Sequence, residues 1–272
     1  MTFRAACVQL RSSDDVAENI RETVKLARDA AAQGASFVAT PENTTLMAPD
    51  GAAKLAASYG EAHDPALPVF SALAKELNIW LLIGSLAIKV SDTKTANRSF
   101  LFAPDGSIKA RYSKIHLFDV ELASGEVYRE SNTVAGGGEA VVAGTEWGTI
   151  GLTVCYDVRF PLLYRKLAQQ GAFLFTVPSA FTVPTGAAHW HVLLRARAIE
   201  NGAFVVAPAQ GGLHASGRKT YGHSLIVSPW GDVLAEAGTD PGVIIADIDP
   251  ELSKRARERV PNLQHDRLFT GP

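Results

Sequence analysis

The order of secondary-structure signals along this chain constrains its fold more than any other feature, because short apolar runs alternate with amphipathic stretches. The run FRAACVQL at 3–10 predicts a buried strand. A helix is predicted next, with Asp15 and Glu18 at capping-box spacing and Gly34 at its end. Apolar residues of this helix recur at steps of four and three, namely Val16, Ile20, Val24, Ala27 and Ala31.

The rest of the chain continues this alternation. Further strands are predicted at 36–40, 80–90, 140–144, 149–154, 173–179, 204–209 and 244–249, helices at 66–77, from Pro161 and at 186–201, and hairpins at 99–112 and 223–238. Residues 119–139 are polar and glycine-rich, which predicts a long ordered loop. Because we find no repeat or linker, this mixture of hairpins and strand–helix units predicts one α/β sandwich domain covering residues 1–272.

Composition argues against several classes of protein. The formal charge is -2 with both signs interspersed, whereas a nucleic-acid-binding protein shows a basic face. No apolar run approaches the roughly 18 residues that a membrane span needs, and Arg4 and Arg11 interrupt the segment where a signal peptide would lie. Only two cysteines are present, Cys7 and Cys155. Such sparse cysteine usage is typical of a reducing compartment, so we expect the cytoplasm.

Three reactive side chains share one structural context. Glu42, Lys114 and Cys155 each follow the carboxyl end of a predicted strand, which is the edge of an α/β sheet where ligands usually bind. Taken singly, each has a simpler interpretation, as a loop acid, a surface cation and a core thiol. Because their chemistry is complementary, the three together predict a catalytic site. Cys7 lies inside an apolar strand and is interpreted as core packing.

The local sequence suggests how two of these groups are tuned. Cys155 precedes a helix predicted to begin at Pro161, and the positive end of a helix dipole favours a thiolate. Glu42 follows Pro41 and an apolar strand, and a carboxyl group in a partly apolar pocket has a raised pKa. We therefore expect Glu42 to act as the general base for the thiol of Cys155.

The motifs around these residues resemble those of the nitrilase superfamily of carbon–nitrogen hydrolases. The matching motifs are PEN around Glu42, KIHLFD around Lys114, RESN around Glu130 and TVCYDVRFP around Cys155, with PTGAAHWHVLLRARAIEN and YGHSLIVSPWGDVLAE beyond them. The resemblance covers nearly the whole chain. It implies a four-layer αββα sandwich, a Glu-Lys-Cys triad supplemented by Glu130, and no cofactor.

The resemblance is closest to the deaminated glutathione amidases and the related ω-amidases, which implies a small carboxylate-bearing amide as substrate. Arg159, four residues after Cys155, is suited to bind that carboxylate bidentately, and the resemblance implies that Thr185 meets the same end of the substrate. A backbone N–H near Tyr156 would assist Lys114 at the oxyanion. The chain departs from many relatives at Leu162, where they carry Glu. A homodimer or larger even assembly is implied, through the helices from Pro161 and Gly186.

Several alternatives stay open. Other amide substrates are 2-oxoglutaramate and N-carbamoyl amino acids, and a Cys-His hydrolase could use His116, His189 or His223 as base. A different class is a binding protein of the same fold without chemistry. No metal site is expected, because His189 and His191, two residues apart on a predicted helix, point about 200° apart.

Overall fold

The computed structural model of this protein describes residues 1–122 and 125–271. In chain order its strands are β1 (Phe3–Gln9), β2 (Phe37–Ala39), β3 (Trp80–Lys89), β4 (Thr95–Phe102), β5 (Ile108–Ser113), β6 (Asp119–Glu121), β7 (Val127–Arg129), β8 (Val134–Ala135), β9 (Val141–Thr145), β10 (Gly148–Leu152), β11 (Ala172–Thr176), β12 (Phe204–Ala207), β13 (Gly211–Leu213), β14 (Lys219–Tyr221), β15 (Leu225–Val227), β16 (Val233–Glu236) and β17 (Gly242–Ile248). Its helices are α1 (Val16–Ala32), α2 (Gly51–Ala56), α3 (Ala66–Leu77), α4 (Pro161–Gln169), α5 (Val183–Asn201) and α6 (Pro250–Arg259).

Two sheets form the centre of the molecule. The larger has the order β17-β1-β2-β3-β4-β5, with β8 paired to β4, and the smaller has the order β16-β15-β12-β11-β10-β9. Strands β1, β2 and β3 are parallel, as are β10, β11 and β12. Antiparallel strands come from the hairpins β3–β4–β5, β9–β10 and β15–β16 and from the pairing of β17 with β1. The predicted combination of strand–helix units and hairpins is therefore confirmed.

Side-chain alternation along β1 shows how the layers are separated. Ala5 and Cys7 belong to the core that includes residues of both sheets, whereas Ala6 and Val8 belong to a second core beneath α1 and α3. Successive strand residues point to opposite faces, so one face of the larger sheet packs on the smaller sheet and the other on helices. Helices α4 and α5 contact the smaller sheet. The fold is the four-layer αββα sandwich.

Helix boundaries follow from local capping. Asp15 accepts a hydrogen bond from the Glu18 N–H at 2.9 Å, as the spacing predicts, but the Glu18 side chain accepts from Ser13 instead of completing a capping box. Helix α4 begins at Pro161 as predicted. Helix α5 begins at Val183, three residues before the expected start, because Pro184 is well tolerated in the first turn of a helix.

Gly84 allows two chain segments to approach β3 closely. The pairing of β3 with β4 shifts register between Ile83 and Leu86. A Cβ at Gly84 would lie 1.8 Å from the carbonyl oxygen of Thr40 and 2.5 Å from Pro178. The segment after β2 and the segment after β11 can therefore approach β3 only because this residue has no side chain. No helix within the described residues is long and apolar enough to cross a bilayer.

Candidate active site

A cavity of about 630 Å³ opens between the two sheets at the strand ends that the sequence singled out. This volume is typical of pockets that enclose small organic ligands. Its walls include all seven residues that the sequence nominated: Glu42, Lys114, Glu130, Cys155, Tyr156, Arg159 and Thr185.

The strand termini set the positions of the three reactive side chains. Strand β2 ends three residues before Glu42, β5 ends immediately before Lys114, and β10 ends three residues before Cys155. Cys155 has a φ of 49°, a left-handed conformation that non-glycine residues seldom adopt outside functional sites. Its N–H donates to the carbonyl oxygen of Pro178 at 2.9 Å, which holds this turn against the neighbouring segment.

Lys114 is the centre of a buried charge network. Its Nζ lies 2.9 Å from Glu42 Oε1 and 2.8 Å from Glu130 Oε2, and only 2% of its side chain is exposed. Burying an ammonium is costly unless it is paired and hydrogen-bonded. Two carboxylates therefore hold this cation in one position beside Cys155.

Asn97, on β4, is a site residue that sequence reasoning missed. Its Nδ2 donates to Glu42 Oε1 at 2.8 Å and to Glu130 Oε1 at 3.2 Å, so it links the two carboxylates that contact Lys114. The N–H of Ala180 donates to Glu42 Oε2 at 3.0 Å. Both oxygens of Glu42 are thus oriented. An Asn inside an apolar strand, at a position that faces the predicted site, was the available sequence signal.

The network controls the ionisation of its members. Burial alone would raise the pKa of Glu42, but the charge of Lys114 and hydrogen bonds to the carboxylate lower that pKa to about 2. Burial would lower the pKa of Lys114, yet the two glutamates raise it well above its ordinary value. Burial raises the pKa of Cys155, and the negative charge of Glu42 raises it further. At neutral pH Glu42 and Lys114 are therefore charged and Cys155 is a thiol.

These directions differ from two expectations of the sequence. The pKa of Glu42 is lowered rather than raised, because the neighbouring ammonium of Lys114 outweighs the effect of burial. The thiolate of Cys155 is not favoured, since this residue begins a single 3-10 turn that precedes α4 and its side chain is buried. The thiol proton must therefore move as the sulfur attacks, which requires a base in place.

Arg159, Tyr156 and Thr185 form another part of the cavity wall. The Arg159 guanidinium lies over the rings of Tyr156 and Phe181, at 5.8 and 5.6 Å from their centroids. It also contacts His189 Nδ1 at 3.3 Å. Thr185, in the first turn of α5, is hydrogen-bonded to Thr182 at 2.8 Å. Among the residues that the structure describes, this guanidinium has no carboxylate partner, which suits it to an acidic ligand.

The three histidines considered as alternative bases lie elsewhere. The ring of His116 stacks on Phe160, and its Nδ1 lies 2.7 Å from Asp157. His223 contacts Glu236 at 2.9 Å, and His189 contacts Arg159. Among the described residues, no histidine belongs to the wall around Cys155. This arrangement disfavours the Cys-His alternative.

One group of side chains outside the cavity could hold a metal ion. Donor atoms of His191, His223 and Glu236 lie within 4.8 Å of one another, and both histidines contact Glu236 Oε1 at 2.9 Å. The sequence did not predict this group, because its three members come from α5, from the segment before β15 and from β16. His189 and His191 have different partners, Arg159 and Glu236. The group around Glu236 does not test the expectation that the chain holds no metal, which stays a prediction.

The similarity of this chain to known proteins identifies its family. The family model for carbon–nitrogen hydrolases matches residues 4–258. This chain belongs to the carbon–nitrogen hydrolase family. A deaminated glutathione amidase from Synechocystis sp. (strain PCC 6803 / GT-S) is 42% identical over 273 residues, with 98% of each chain covered. The resemblance to the nitrilase superfamily is thereby confirmed, and the protein is a hydrolase that acts on carbon–nitrogen bonds of amides.

Solved structures agree with the fold. The NitFhit protein of C. elegans superposes with a TM-score of 0.91 at 35% identity over 98% of this chain, which spans 65% of the NitFhit chain. An amidase from Nesterenkonia sp. AN1, in which acrylamide has added to the active site cysteine, has a TM-score of 0.81 at 27% identity. That comparison covers 95% of this chain and 98% of the amidase.

Proposed function

We propose that this protein hydrolyses deaminated glutathione to 2-oxoglutarate and Cys-Gly through a thioester on Cys155. The observation that carries the proposal is the buried ammonium of Lys114, held between Glu42 and Glu130 in a cavity shared with a cysteine. The choice of substrate is supported by the activity named for the Synechocystis relative, which matches nearly the full length of this chain.

In the proposed acylation, Glu42 accepts the Sγ proton of Cys155 while the sulfur attacks the amide carbon. Lys114 Nζ and the backbone N–H of Tyr156 donate to the oxyanion that forms, a preorganised arrangement that stabilises the transition state. The carbon–nitrogen bond then breaks, and the departing amine takes the proton from Glu42. Glu130 positions Lys114 throughout, since it accepts a hydrogen bond from Lys114 Nζ at 2.8 Å.

In deacylation the same groups act in the reverse sense. A water molecule gives a proton to Glu42 and attacks the thioester, and the oxyanion again lies beside Lys114. The carbon–sulfur bond breaks, 2-oxoglutarate is released, and the proton on Glu42 returns to the sulfur. The low pKa of Glu42 fits this cycle, because the residue must be unprotonated at the start of both half-reactions.

The acyl part of the proposed substrate accounts for the polar side chains in the cavity wall around Arg159. The 2-oxo acid carries a carboxylate, and Arg159 and Thr185 are the polar side chains that we assign to it. A neutral nitrile would leave this guanidinium unpaired, which is unfavourable for a partly buried charge. We therefore infer a preference for 2-oxo acid amides over aliphatic nitriles.

A substrate panel tests the proposal. We expect deaminated glutathione to be hydrolysed with a higher kcat/KM than 2-oxoglutaramate, with released 2-oxoglutarate as a common readout, and we expect mass spectrometry to find the acyl group on Cys155. Arg159→Ala should raise KM for both substrates. The control is Arg165→Ala on α4, which should not raise KM because the Arg165 guanidinium is paired with Asp266. A nitrile or an N-carbamoyl amino acid as the best substrate would refute the assignment, and 2-oxoglutaramate as the best would make the protein an ω-amidase. A folded protein without turnover would favour the binding-protein alternative.

We further infer that residues 1–272 form one functional domain, that the protein assembles as a homodimer or larger even homo-oligomer, and that it works in the cytoplasm. Support for the assembly comes from exposed apolar side chains on α4 and α5, including Leu162 and Val192, at 66% and 68% exposure. Support for the location comes from Cys7 and Cys155, which are both unpaired and buried.

A further inference from the structure

The cavity contains a second group of cations that the proposed chemistry does not use. Lys54 projects from the short helix α2, and Arg218 lies in the turn between β13 and β14; both line the same cavity as Cys155. We call this group the Lys54–Arg218 corner. Helix α2 is docked closely, since a Cβ at Gly51 would meet Thr133 Oγ1 at 2.4 Å. The turn is fixed by the N–H of His214, which donates to the Arg218 carbonyl oxygen at 2.9 Å.

Within the described residues, the hydrogen bonds of both cations go to uncharged acceptors. Lys54 Nζ donates to Asn43 Oδ1 at 3.0 Å, and an Arg218 Nη donates to the Ala180 carbonyl oxygen at 3.0 Å. Within the described residues neither forms an ion pair with a carboxylate, and Arg218 Nε is buried without a hydrogen-bond partner. A buried donor without a partner is unfavourable. Arg218 and Lys54 line the cavity as two cations whose hydrogen bonds go to uncharged acceptors, which suits them to a ligand that carries a carboxylate.

The position of the corner relative to Glu42 indicates which part of the substrate it meets. Asn43, the partner of Lys54, is the residue next to Glu42. Ala180, whose carbonyl accepts from Arg218, also donates its N–H to Glu42. The departing amine must lie beside Glu42 to receive its proton. Groups carried by that amine therefore extend towards Lys54 and Arg218, whereas the carboxylate of the acyl part meets Arg159.

We propose that Lys54 and Arg218 form a carboxylate subsite for the leaving amine, so that the enzyme selects amides with an acidic group on each side of the scissile bond. The inference rests on the proposed amidase function. A Cys-Gly leaving group suits the subsite, because two residues place a terminal carboxylate at most about 7 Å from the nitrogen. 2-Oxoglutaramate releases ammonia and gains nothing from these cations. The subsite thus gives a physical reason for the preferred substrate.

The test compares deaminated glutathione with an analogue in which the glycine carboxylate is a carboxamide. For the wild-type protein we expect the kcat/KM ratio of acid to carboxamide to be roughly 10 to 100, the usual range for a hydrogen-bonded charge pair. In Lys54→Met and Arg218→Gln this ratio should fall several-fold each, and in the double variant it should approach 1. Lys54→Arg keeps the charge and should restore part of the ratio. Because the ratio compares two substrates in one variant, a general structural defect does not change it.

Arg129→Gln is the matched control. Arg129 also lines the cavity, but its guanidinium donates to the carbonyl oxygens of Val120 and Tyr128, so the ratio should stay at the wild-type value. Wild-type discrimination that survives in the double variant, or a wild-type ratio near 1, overturns the subsite while leaving the amidase proposal intact. A wild-type protein that hydrolyses neither 2-oxo acid amide overturns both. Calorimetric binding of the two substrates to Cys155→Ala should show the same ratio without turnover.

Discussion

At the scale of single residues, the candidate site is governed by one buried cation. Lys114 lowers the pKa of Glu42 and keeps that carboxylate ionised, although burial acts in the opposite direction, and its Nζ also contacts Glu130. The sequence could place these residues at strand ends, because strand signals and motif positions are local. It could not give the direction in which each pKa shifts. That direction depends on the distance between Glu42, which follows β2, and Lys114, which follows β5, and the two residues are 72 positions apart in the chain.

The first prediction concerns the three reactive side chains. We expect Cys155→Ala, Glu42→Gln and Lys114→Ala to fold and to lose at least about 10²-fold in turnover, because each group acts in the transition state. Steady-state release of 2-oxoglutarate measures the loss, and circular dichroism checks the fold. Cys7→Ala is the control, since Cys7 is fully buried in the core between the sheets and should keep activity. A Cys155→Ala variant with wild-type turnover would rule out this residue as the nucleophile.

A second residue-scale prediction concerns His214, which is 2% exposed. Burial lowers the pKa of its ring, and the charges of Arg218 and Arg11 lower it further. In the unfolded chain a histidine titrates near 6.5, so below that pH the unfolded state binds the proton first. Stability attributable to His214 is therefore complete above about pH 6.5 and decreases as the pH falls, by at most about 1.4 kcal/mol per pH unit.

Urea unfolding at pH 7.5 and 5.5 measures this effect. The loss of unfolding free energy on acidification should be smaller in His214→Gln than in the wild type. It should be unchanged in His265→Gln, whose side chain is exposed. Equal pH dependence in the wild type and His214→Gln would show that this ring does not contribute.

At the scale of secondary-structure elements, long periodic segments were predictable and short ones were not. Helix α3 spans the predicted residues 66–77, because its apolar residues and its left-handed C-cap Asn78 are both local signals. Helix α2, with six residues, has too few turns to show a period, yet it carries Lys54. The expected loop at 119–139 contains the hairpin β6–β7, whose strands of three residues have no distinct pattern.

The third prediction concerns the approach of elements at Gly84. In Gly84→Ala the added methyl group would overlap the Thr40 carbonyl and Pro178. The segment of Thr40 leads to Glu42, and the carbonyl oxygen of Pro178 accepts a hydrogen bond from the N–H of Cys155. We expect a loss of about 2 kcal/mol or more in unfolding free energy together with reduced kcat. Gly144→Ala in β9 is the control, because its Cβ would meet nothing within 4 Å. Equal stability of the two variants would contradict the argument.

At the scale of the whole molecule, charge is distributed unevenly. The chain has a formal charge of -2, whereas the cavity wall has five basic and three acidic side chains, namely Lys54, Lys114, Arg129, Arg159, Arg218, Glu42, Asp50 and Glu130. A cleft of one dominant sign raises the local concentration of oppositely charged ligands. The formal charge of the sequence therefore does not indicate the basic cavity wall that favours an acidic substrate, because these residues come together only in the folded protein.

The fourth prediction is that chelation does not abolish turnover. The proposed oxyanion contacts are an ammonium and a backbone N–H, and the possible metal ligands His191, His223 and Glu236 lie outside the cavity wall. We expect kcat and KM to stay within about twofold after exhaustive EDTA treatment, a change too small to reflect loss of a catalytic metal. Loss of activity that one specific metal restores would contradict this mechanism, and repeating the measurement on His191→Ala would then show whether this group is responsible.

The last prediction concerns assembly, which we place on the face of α5 that carries Val192 and Ile199. Ile199 is 52% exposed, and the neighbouring turn carries Trp230 at 57% exposure. This turn packs on α5, since Arg195 Nε donates to the Gly231 carbonyl oxygen at 2.7 Å. Exposed apolar side chains on adjoining elements are typical of an interface between subunits.

In a two-fold contact each substitution occurs twice, so one introduced glutamate per chain places two like charges in the same interface. We therefore expect light scattering to show an even oligomer for the wild type and a shift towards monomer for Val192→Glu at micromolar concentration. Val90→Glu, in the exposed turn after β3, adds the same charge elsewhere and should leave the assembly intact. A stable wild-type monomer, or an oligomer that Val192→Glu leaves unchanged, would exclude this face as the contact.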